Sequence, residues 1–320
     1  MSSQTLFANL PADMRSIILA RAGQGRVVFP EGSDDRVQQA AELVQSQTGV
    51  KCILANPVLV TSLKNQTHNV IAEQLSSRGK PLPPDLSALV EDPFFTAGAM
   101  VRLGLAEAAV GGAVATTAHV IRAALSTVGV DPRSPLITSC FLFKLREPTA
   151  GGEDVVVYAD AGVIPQPSEE QLTHIAALAA KSFSIWTGRE ARVAFLSFST
   201  NGSAQHADVT KMRNAAGAFA QKHPDILSEG ELQFDAAVVP QVSLRKNPSS
   251  KLAGRANVFV FPDLDAGNIS YKLTQRLAGA EAWGPLLLGT AKPYSDLSRG
   301  ASALDIAHVA LLTLALRSQA

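Results

Sequence analysis

Residues 26–46, RVVFPEGSDDRVQQAAELVQS, join a short hydrophobic run to a longer helical pattern, and this pairing decides the fold class. RVVFP has the β-branched and aromatic content of a strand, whereas 34–46 has the periodicity of a helix. Alternation of strands with helices is typical of parallel sheets that are covered by helices. The stretch therefore predicts an α/β fold.

The same alternation continues through most of the chain. Further strand-like runs are KCILA (51–55), AAVGG (108–112), ARVAFLSF (191–198), AAVV (236–239), ANVFVFP (256–262) and GPLLLG (284–289). Helical patterns occupy 57–63, 67–77, 116–127, 204–222, 268–280 and 302–317. We expect these runs to form mainly parallel sheets.

The alternation is interrupted at 135–160, where PLITSCFLFKL and EDVVVYAD follow one another with no helical pattern between them. This arrangement predicts a hairpin at a domain boundary. Because 320 residues exceed the size at which one core usually stops growing, we expect two α/β domains. The first comprises 1–142 with 287–320, and the second, 143–286, is inserted in it. A helix over 168–186 with one apolar face should follow the hairpin.

Composition excludes several classes of protein. Lys plus Arg (28) equals Asp plus Glu (28), so no net field attracts nucleic acid or an anionic membrane. Cys52 and Cys140 stand in apolar runs, which favours buried thiols in a reducing cytoplasm. The N-terminus has no signal-peptide core, and no apolar run reaches the roughly 20 residues of a membrane span. These features predict a soluble cytoplasmic protein.

Sequence motifs for several kinds of active site are missing. The six His residues show no zinc-ligand spacing, so we expect no metal site. The chain contains neither a Walker loop nor G-x-G-x-x-G, and it lacks the G-x-S-x-G turn of many hydrolases. These absences argue against a kinase, a nicotinamide dehydrogenase and a serine hydrolase, and we expect no tightly bound cofactor.

The segment PYSDLSRGAS (293–302) precedes the most apolar helical pattern of the chain. Ser302 and Asp305 have the spacing of a capping box, so both residues fit a helix start. Ser298 and Arg299 lie outside that cap and need another explanation. We interpret them as candidate active-site residues.

Three further loops carry polar side chains at strand-to-helix junctions. LSFSTNGSAQHADV (196–209) offers Ser199 and Thr200 as donors to an anion, although such loops are also ordinary turn material. In FPDLDAGNISYKLTQRLAGAEA (261–282), Asn268 is the expected helix cap, and the amides of such a helix start can bind phosphate, although every strand-to-helix joint in an α/β protein looks like this. Thr116 and Thr117 should open the helix that contains Arg122, a lone cation that is either buried, ligand-facing or simply solvated.

Taken together, these stretches resemble the phosphate acetyltransferase (phosphotransacetylase) family over nearly the whole chain. The matching stretches include RVVFPEGSDDRVQQAA (26–41), GAMVRLGLAEAAVGGAVATTAHVIRAAL (98–125), VYADAGVIPQPSEEQLTHIA (157–176), VAFLSFSTNGSA (193–204) and VFVFPDLDAGNISYKLTQRLAGAEAWGPLLLGTAKPYSDLSRGAS (258–302). The last block is the longest and the most specific.

The resemblance implies reversible acetyl transfer between coenzyme A, a substrate, and phosphate in a ternary complex. It implies two α/β domains with an active-site cleft between them, and a homodimer. The family pattern matches Ser298, Arg299 and Asp305 with active-site groups, Asp305 being the base for the thiol. It matches Arg122 and Arg78 with substrate-binding arginines, to which we add Ser199, Thr200 and Asn268.

Three other functions remain open at this stage. A decarboxylating dehydrogenase would share the two-domain cleft, but it needs a metal-binding carboxylate cluster and a nicotinamide-binding segment. A non-catalytic module that binds acetyl-coenzyme A for regulation would not need Ser298, Arg299 and Asp305. A phosphotransacylase that prefers propionyl or another short acyl group would keep the same residues.

Overall fold

The computed structural model describes residues 5–319, which divide into two compact units. The first unit contains the chain up to Pro135 and from Gly284 onward, and the second unit is Leu136–Trp283. The α/β fold class with two mainly parallel sheets, predicted from the sequence, is confirmed. The domain limits expected at 142/143 and 286/287 stay a prediction.

The helices and strands are as follows, in chain order. Up to Pro135 the elements are α1 (Ala12–Ala22), β1 (Arg26–Phe29), α2 (Asp35–Gln47), β2 (Lys51–Leu54), α3 (Pro57–Ser62), α4 (Lys64–Ser76), α5 (Leu86–Leu89), α6 (Pro93–Arg102), β3 (Ala108–Val110) and α7 (Thr117–Thr127). The next elements are β4 (Thr138–Lys144), β5 (Val155–Ala159), α8 (Glu169–Thr187), β6 (Arg192–Leu196), α9 (Ala207–Lys222), β7 (Leu227–Leu232), α10 (Phe234–Val238), α11 (Pro240–Lys246), β8 (Val258–Val260) and α12 (Leu264–Arg276). The last elements are β9 (Glu281–Leu288), β10 (Tyr294–Ser295), α13 (Ala303–Ala315) and a 3₁₀ turn (Leu316–Gln319).

The first unit is built on a four-stranded parallel sheet in the order β10-β3-β1-β2. Val27 of β1 lies opposite Cys52 of β2 on one side and Ala108 of β3 on the other. Helix α13 is buried along its length from Ile306 to Ala315 and packs against α1, α2 and β3. A helix that is apolar on all sides needs such enclosure, so the end of the chain forms the core of this unit.

The second sheet has six strands in the order β7-β6-β8-β5-β4-β9, and only the first three residues of β9 (Glu281–Leu288) belong to the second unit. Strands β4 and β5 pair antiparallel, with Cys140 opposite Ala159, which confirms the predicted hairpin. The pairs β5/β8, β6/β8 and β6/β7 are parallel. Helix α8 begins with a capping box formed by Ser168 and Gln171, and the apolar face predicted for it is buried.

Two predicted elements are wrong in kind or in position. AAVV (236–239) was expected to be a strand, but these residues mostly belong to the short helix α10. The strand in this region is β7, whose sequence LSEGEL is largely polar because only its last two residues are buried. The helix expected over 268–280 begins four residues earlier, at Leu264, because Asp263 and not Asn268 caps it.

Both cysteines are free thiols, as the sequence predicted. Burial raises the pKa of Cys52 to about 12 and raises the pKa of Cys140 as well, so neither thiol ionises near neutral pH. None of the helices in residues 5–319 has the length and hydropathy needed to span a membrane.

Candidate active site

The segment that contains Ser298 and Arg299 connects β10 to α13 in the first unit. Ser302 caps α13, since its Oγ accepts from the backbone N of Asp305 at 3.2 Å. The Asp305 carboxylate returns the contact, and its Oδ2 accepts from the backbone N of Ser302 at 2.9 Å and from Ser302 Oγ at 2.7 Å. The predicted capping box is confirmed, and it fixes the half-buried Asp305 carboxylate over the loop that precedes the helix.

Arg299 is the exposed cation of this segment. Its side chain makes no hydrogen bond or ion pair in the part of the chain that the structure describes, although its positive charge opposes the rise in the pKa of Asp296. Ser298, one residue earlier, is half-buried, and its Oγ accepts a long hydrogen bond of 3.4 Å from Gly300 N. Two consecutive residues of this segment therefore carry a guanidinium and a hydroxyl, each of which can donate hydrogen bonds to an anion or a carbonyl oxygen.

The backbone of this segment is held by Arg36, from the start of α2. Arg36 Nη1 donates to the carbonyl oxygens of Arg299 at 3.0 Å and Ala301 at 3.2 Å, and Nη2 donates to Ala113 O at 2.9 Å. The Asp34 carboxylate binds the same guanidinium through both oxygens. This pairing raises the pKa of Arg36 and keeps the fork oriented toward the three carbonyls.

Glu31 follows β1, and its side chain reaches into the loop between β3 and α7. Its two carboxylate oxygens accept hydrogen bonds of 2.7–2.9 Å from four successive backbone N–H groups, those of residues 112–115. A row of exposed amides at a helix start is a common anion site. Here a carboxylate of the chain itself satisfies these amides, so the loop is shaped by Glu31.

Asp296 lies at the end of β10 and is fully buried. Its Oδ2 accepts from Thr117 Oγ1 at 2.6 Å. Burial raises the pKa of Asp296 to about 7, against the opposing effect of the Thr117 hydrogen bond. The first turn of α7 is thereby joined to the segment that contains Ser298.

Arg122 lies on α7, which begins at the predicted cap Thr116. Its side chain is 48% exposed, so the possibility that it is a buried charge is wrong. Arg122 Nη2 donates to both carboxylate oxygens of Asp85, at 3.0 and 2.8 Å. An ion pair this exposed is weak, with a typical contribution of about 0–1 kcal/mol, and an anionic ligand can replace Asp85 as the partner.

Arg78 lies in the turn that follows α4 and is exposed. Its backbone N donates to Leu75 O at 3.0 Å, which closes the turn. Helix α4 packs against α6 and α7. Within the described residues no hydrogen bond or ion pair joins Arg78 to the segment of Ser298 and Arg299, so its substrate-binding role stays a prediction.

Ser199 and Thr200 lie in the second unit, in the loop after β6, and both are buried. Ser199 Oγ donates to Glu231 Oε1 at 3.0 Å, and Thr200 Oγ1 accepts from Gln233 N at 2.9 Å. Hydrogen bonds from Arg213 and the loop outweigh the burial of Glu231 and lower its pKa to about 2. These hydroxyls shape the loop, and substrate binding by either of them stays a prediction.

Asn268 lies in the second turn of α12, inside the helix that it was expected to cap. The true cap is Asp263, whose Oδ1 accepts from Ala266 N at 2.8 Å. Asn268 Nδ2 donates to Ala161 O at 3.1 Å, and its Oδ1 accepts from Lys272 Nζ at 2.6 Å. Asn268 therefore lies away from the helix start, and its substrate-binding role stays a prediction.

Comparison with known proteins decides the family. A family model described as phosphate acetyl/butaryl transferase matches residues 58–314, which is most of the chain. The chain belongs to this family. Phosphate acetyltransferases from Acetivibrio thermocellus and Paracoccus denitrificans are 38% and 39% identical to it. The alignments cover 92% of this chain in both cases, and 94% and 95% of those proteins.

Solved structures of family members agree with the fold. A phosphotransacetylase from Streptococcus pyogenes superposes with a TM-score of 0.85 at 31% identity, covering 97% of this chain and 100% of that one. The EutD phosphotransacetylase from Staphylococcus aureus gives a TM-score of 0.82 at 32% identity, covering 96% and 98%. The enzyme class predicted from the sequence, an acyltransferase, is confirmed by these relatives.

Sequence reasoning missed three residues that organise the site: Glu31, Arg36 and Asp296. Glu31 and Arg36 stand in the stretch EGSDDR, which directly follows a buried strand but has the composition of a turn. Asp296 stands in the stretch PYSDL, whose mixture of polar and turn-forming residues gives no sign that this carboxylate is buried. Within residues 5–319 no cluster of three or more His, Cys, Asp or Glu side chains is arranged to hold a metal ion.

Proposed function

We propose that the chain catalyses the reversible reaction of acetyl phosphate with coenzyme A to give acetyl-coenzyme A and phosphate. One observation carries the proposal. In a member of the phosphate acetyl/butaryl transferase family, a single capped segment presents the exposed Arg299, the hydroxyl of Ser298 and the carboxylate of Asp305. These are the three kinds of group that the reaction needs.

The chemistry follows from the substrates. Acetyl phosphate is already activated, so the enzyme must supply a thiolate, hold the phosphate and stabilise charge on the carbonyl oxygen. The thiolate sulfur forms a bond to the carbonyl carbon, and the bond from that carbon to the phosphate oxygen breaks. Phosphate leaves with the electron pair. No acyl-enzyme is formed in this scheme.

A free thiol with a pKa of about 8.5 is only a few per cent ionised at neutral pH. Asp305 is the proposed proton acceptor for it. A carboxylate is a weaker base than a thiolate, so the proton moves to Asp305 as the bond between sulfur and carbon forms. The cap contacts from Ser302 hold the carboxylate in place for this step.

The other side chains bind and orient the acyl phosphate in this proposal. Arg299 and Arg122 hold the phosphate, since a guanidinium donates two parallel hydrogen bonds to it. Arg122 exchanges its Asp85 partner for the substrate. Ser298 donates to the carbonyl oxygen or to the leaving group. Arg78 is a further phosphate contact.

The proposal includes Ser199, Thr200 and Asn268 as substrate contacts. It includes a cytoplasmic homodimer that works in acetate metabolism, with coenzyme A as a substrate and no tightly bound cofactor or metal. Neither nucleic acid nor a membrane is a partner in this proposal.

The test is an assay of acyl-coenzyme A formation from coenzyme A with acetyl, propionyl and butyryl phosphate, each with and without a chelator. We expect the highest kcat/KM with acetyl phosphate and no effect of the chelator. A preference for a longer acyl phosphate would move the assignment to another short-chain phosphotransacylase. If none of the three is converted but acetyl-coenzyme A binds, the chain is a regulatory binding module.

A further inference from the structure

Asp296 is an unusual residue to bury in the first unit. Its Oδ2 accepts a hydrogen bond from Thr117 Oγ1, whereas its Oδ1 is enclosed without a well-formed hydrogen bond from the described residues, and the backbone N–H of Leu297 adds a weaker contact to the carboxyl group. Burying a carboxylate that is incompletely paired costs free energy relative to an apolar residue of similar size. A buried carboxylate at this position therefore indicates a role beyond packing.

The space around Oδ1 is closed by Gly112. A Cβ added to Gly112 would lie 2.2 Å from Asp296 Oδ1 and 2.9 Å from Leu297 N, so the backbone of the β3 to α7 loop lies directly against the carboxylate. Gly112 has a φ of +111°, a conformation that L residues rarely adopt. The close approach of this loop to Asp296 thus depends on glycine.

This enclosure decides what Asp296 can do. Its carboxylate oxygens reach Thr117 and the backbone of Gly112, and the side chain is 0% exposed, so a substrate has no access to it. Asp296 is therefore not a catalytic residue. It connects two elements of the proposed site, because Ser298 and Arg299 follow it in the chain and Thr117 begins the helix that carries Arg122.

We infer that Asp296 is a positioning residue, which fixes the segment of Ser298 and Arg299 to the first turn of α7 through the Thr117 hydroxyl. The inference rests on the proposed function, in which Arg299 and Arg122 bind the same phosphate. Their separation must then be held closely, since a misplacement of about 1 Å can reduce the rate on the order of 10²-fold.

The test compares variants that remove the contact with variants that keep it. Thr117→Val removes the donor without changing the size of the side chain, and we expect kcat/KM for acetyl phosphate to fall about 10- to 100-fold, mainly through kcat. Thr117→Ser keeps the hydroxyl and should retain most of the activity. Asp296→Asn keeps an acceptor for Thr117 and should do the same, whereas Asp296→Leu should behave like Thr117→Val.

The matched control is Thr127→Val. Thr127 ends the same helix, and its buried Oγ1 donates to Ala123 O at 2.6 Å without touching the loops of the site. Its loss should affect the melting temperature but not kcat. Equal losses of activity in Thr117→Val and Thr127→Val would show that the contact between Thr117 and Asp296 only contributes to the stability of the fold. That result would overturn the inference. So would a Thr117→Val enzyme with wild-type kinetics.

A second measurement does not depend on activity. Hydrogen exchange should be faster at Gly300 and Ala301 in Thr117→Val than in Thr127→Val, because both amides donate to Ser298 in the native loop. If the wild-type chain converts no acyl phosphate, the proposed function fails, while this comparison still decides whether the contact positions the loop. If Asp296→Asn is as inactive as Asp296→Leu, the carboxylate acts as a proton acceptor. That result would overturn the positioning role.

Discussion

Arg36 Nη1 donates a hydrogen bond of 3.0 Å to the carbonyl oxygen of Arg299, a residue 263 positions later in the chain. The same guanidinium also binds the carbonyl oxygens of Ala301 and Ala113. One planar cation thus fixes the backbone on both sides of Gly300 together with the loop after β3. The path of the backbone decides where the Arg299 side chain points.

Arg36→Lys tests this support. A lysine ammonium is a point charge on a flexible stem and cannot reproduce the planar fork that reaches three carbonyls. We expect kcat/KM for acetyl phosphate to fall about 10-fold or more while the chain stays folded. The matched control is Arg26→Lys, because Arg26 is a similarly exposed arginine that pairs with Glu107 away from the loop. A similar loss of activity in both variants would contradict a specific role of Arg36.

Arg299→Gln and Arg122→Gln each remove one cation from the proposed phosphate site. Because charge-assisted hydrogen bonds are the stronger kind, we expect each variant to lose roughly 30- to 1000-fold in kcat/KM for acetyl phosphate. Asp85→Asn is the control for Arg122, since it removes the ion pair but keeps the cation. It should retain activity or lower KM. Near-normal kcat/KM in either Gln variant would remove that arginine from the site.

Asp305→Asn separates a capping role from a catalytic one. Asn still accepts the hydrogen bond from Ser302 N but cannot take a proton at neutral pH. If Asp305 only caps α13, the Asp305→Asn variant should lose about 1 kcal/mol of folding stability or less and keep its activity. We expect instead that kcat falls on the order of 10²- to 10⁴-fold, and that the loss shrinks as the pH approaches the pKa of the thiol.

The control for that variant is Gln171→Ala, which breaks the capping box of α8 and should affect stability alone. A fully active Asp305→Asn enzyme at pH 7 would show that Asp305 is a cap and nothing more.

His308 makes the stability of the fold depend on pH. Its Nε2 accepts from Phe7 N at 2.9 Å, and its ring stacks on Phe7 inside the core of the first unit. Burial lowers the pKa of His308 from 6.5 to about 3. Between these values the unfolded chain binds a proton that the folded chain does not, so stability falls as the pH falls through this window. By pH 5 the loss should be about 2 kcal/mol.

Denaturant unfolding at pH 7 and pH 5 measures this loss. His308→Gln keeps an acceptor for Phe7 but does not titrate, and its pH dependence should be smaller by that amount. His68→Gln, at an exposed position, should leave the dependence unchanged. An unchanged dependence in His308→Gln would mean that other groups cause it.

Local patterns predicted most of the architecture because strands in this fold are buried runs and its helices begin with recognisable caps. The strand over Arg26–Phe29, the helix that begins after Ser168 and the capping box at Ser302 are examples. Prediction failed where the local signal is weak, as in the polar strand β7, or where two caps compete, as at Asp263 and Asn268.

The candidate site was predictable only in part. The segment of Ser298, Arg299 and Asp305 could be recognised because its residues are close together in sequence. The contacts of Arg36 and Asp296 connect positions 263 and 179 residues apart, and no spacing rule reaches that far. Sequence patterns indicate the groups that are proposed to do the chemistry more readily than the groups that hold them in place.

The first unit is made from two stretches of chain that are separated by the whole second unit. On the ribosome, the faces of α1, α2 and β3 that α13 covers emerge long before α13 itself is synthesised. In the sequence, the second unit is the single stretch Leu136–Trp283, which contains strands β4 to β8 complete. These strands can therefore pair before α13 is synthesised. The nascent chain must therefore keep this apolar surface from aggregating until α13 has left the ribosome, and transiently exposed surface of this kind is what chaperones protect.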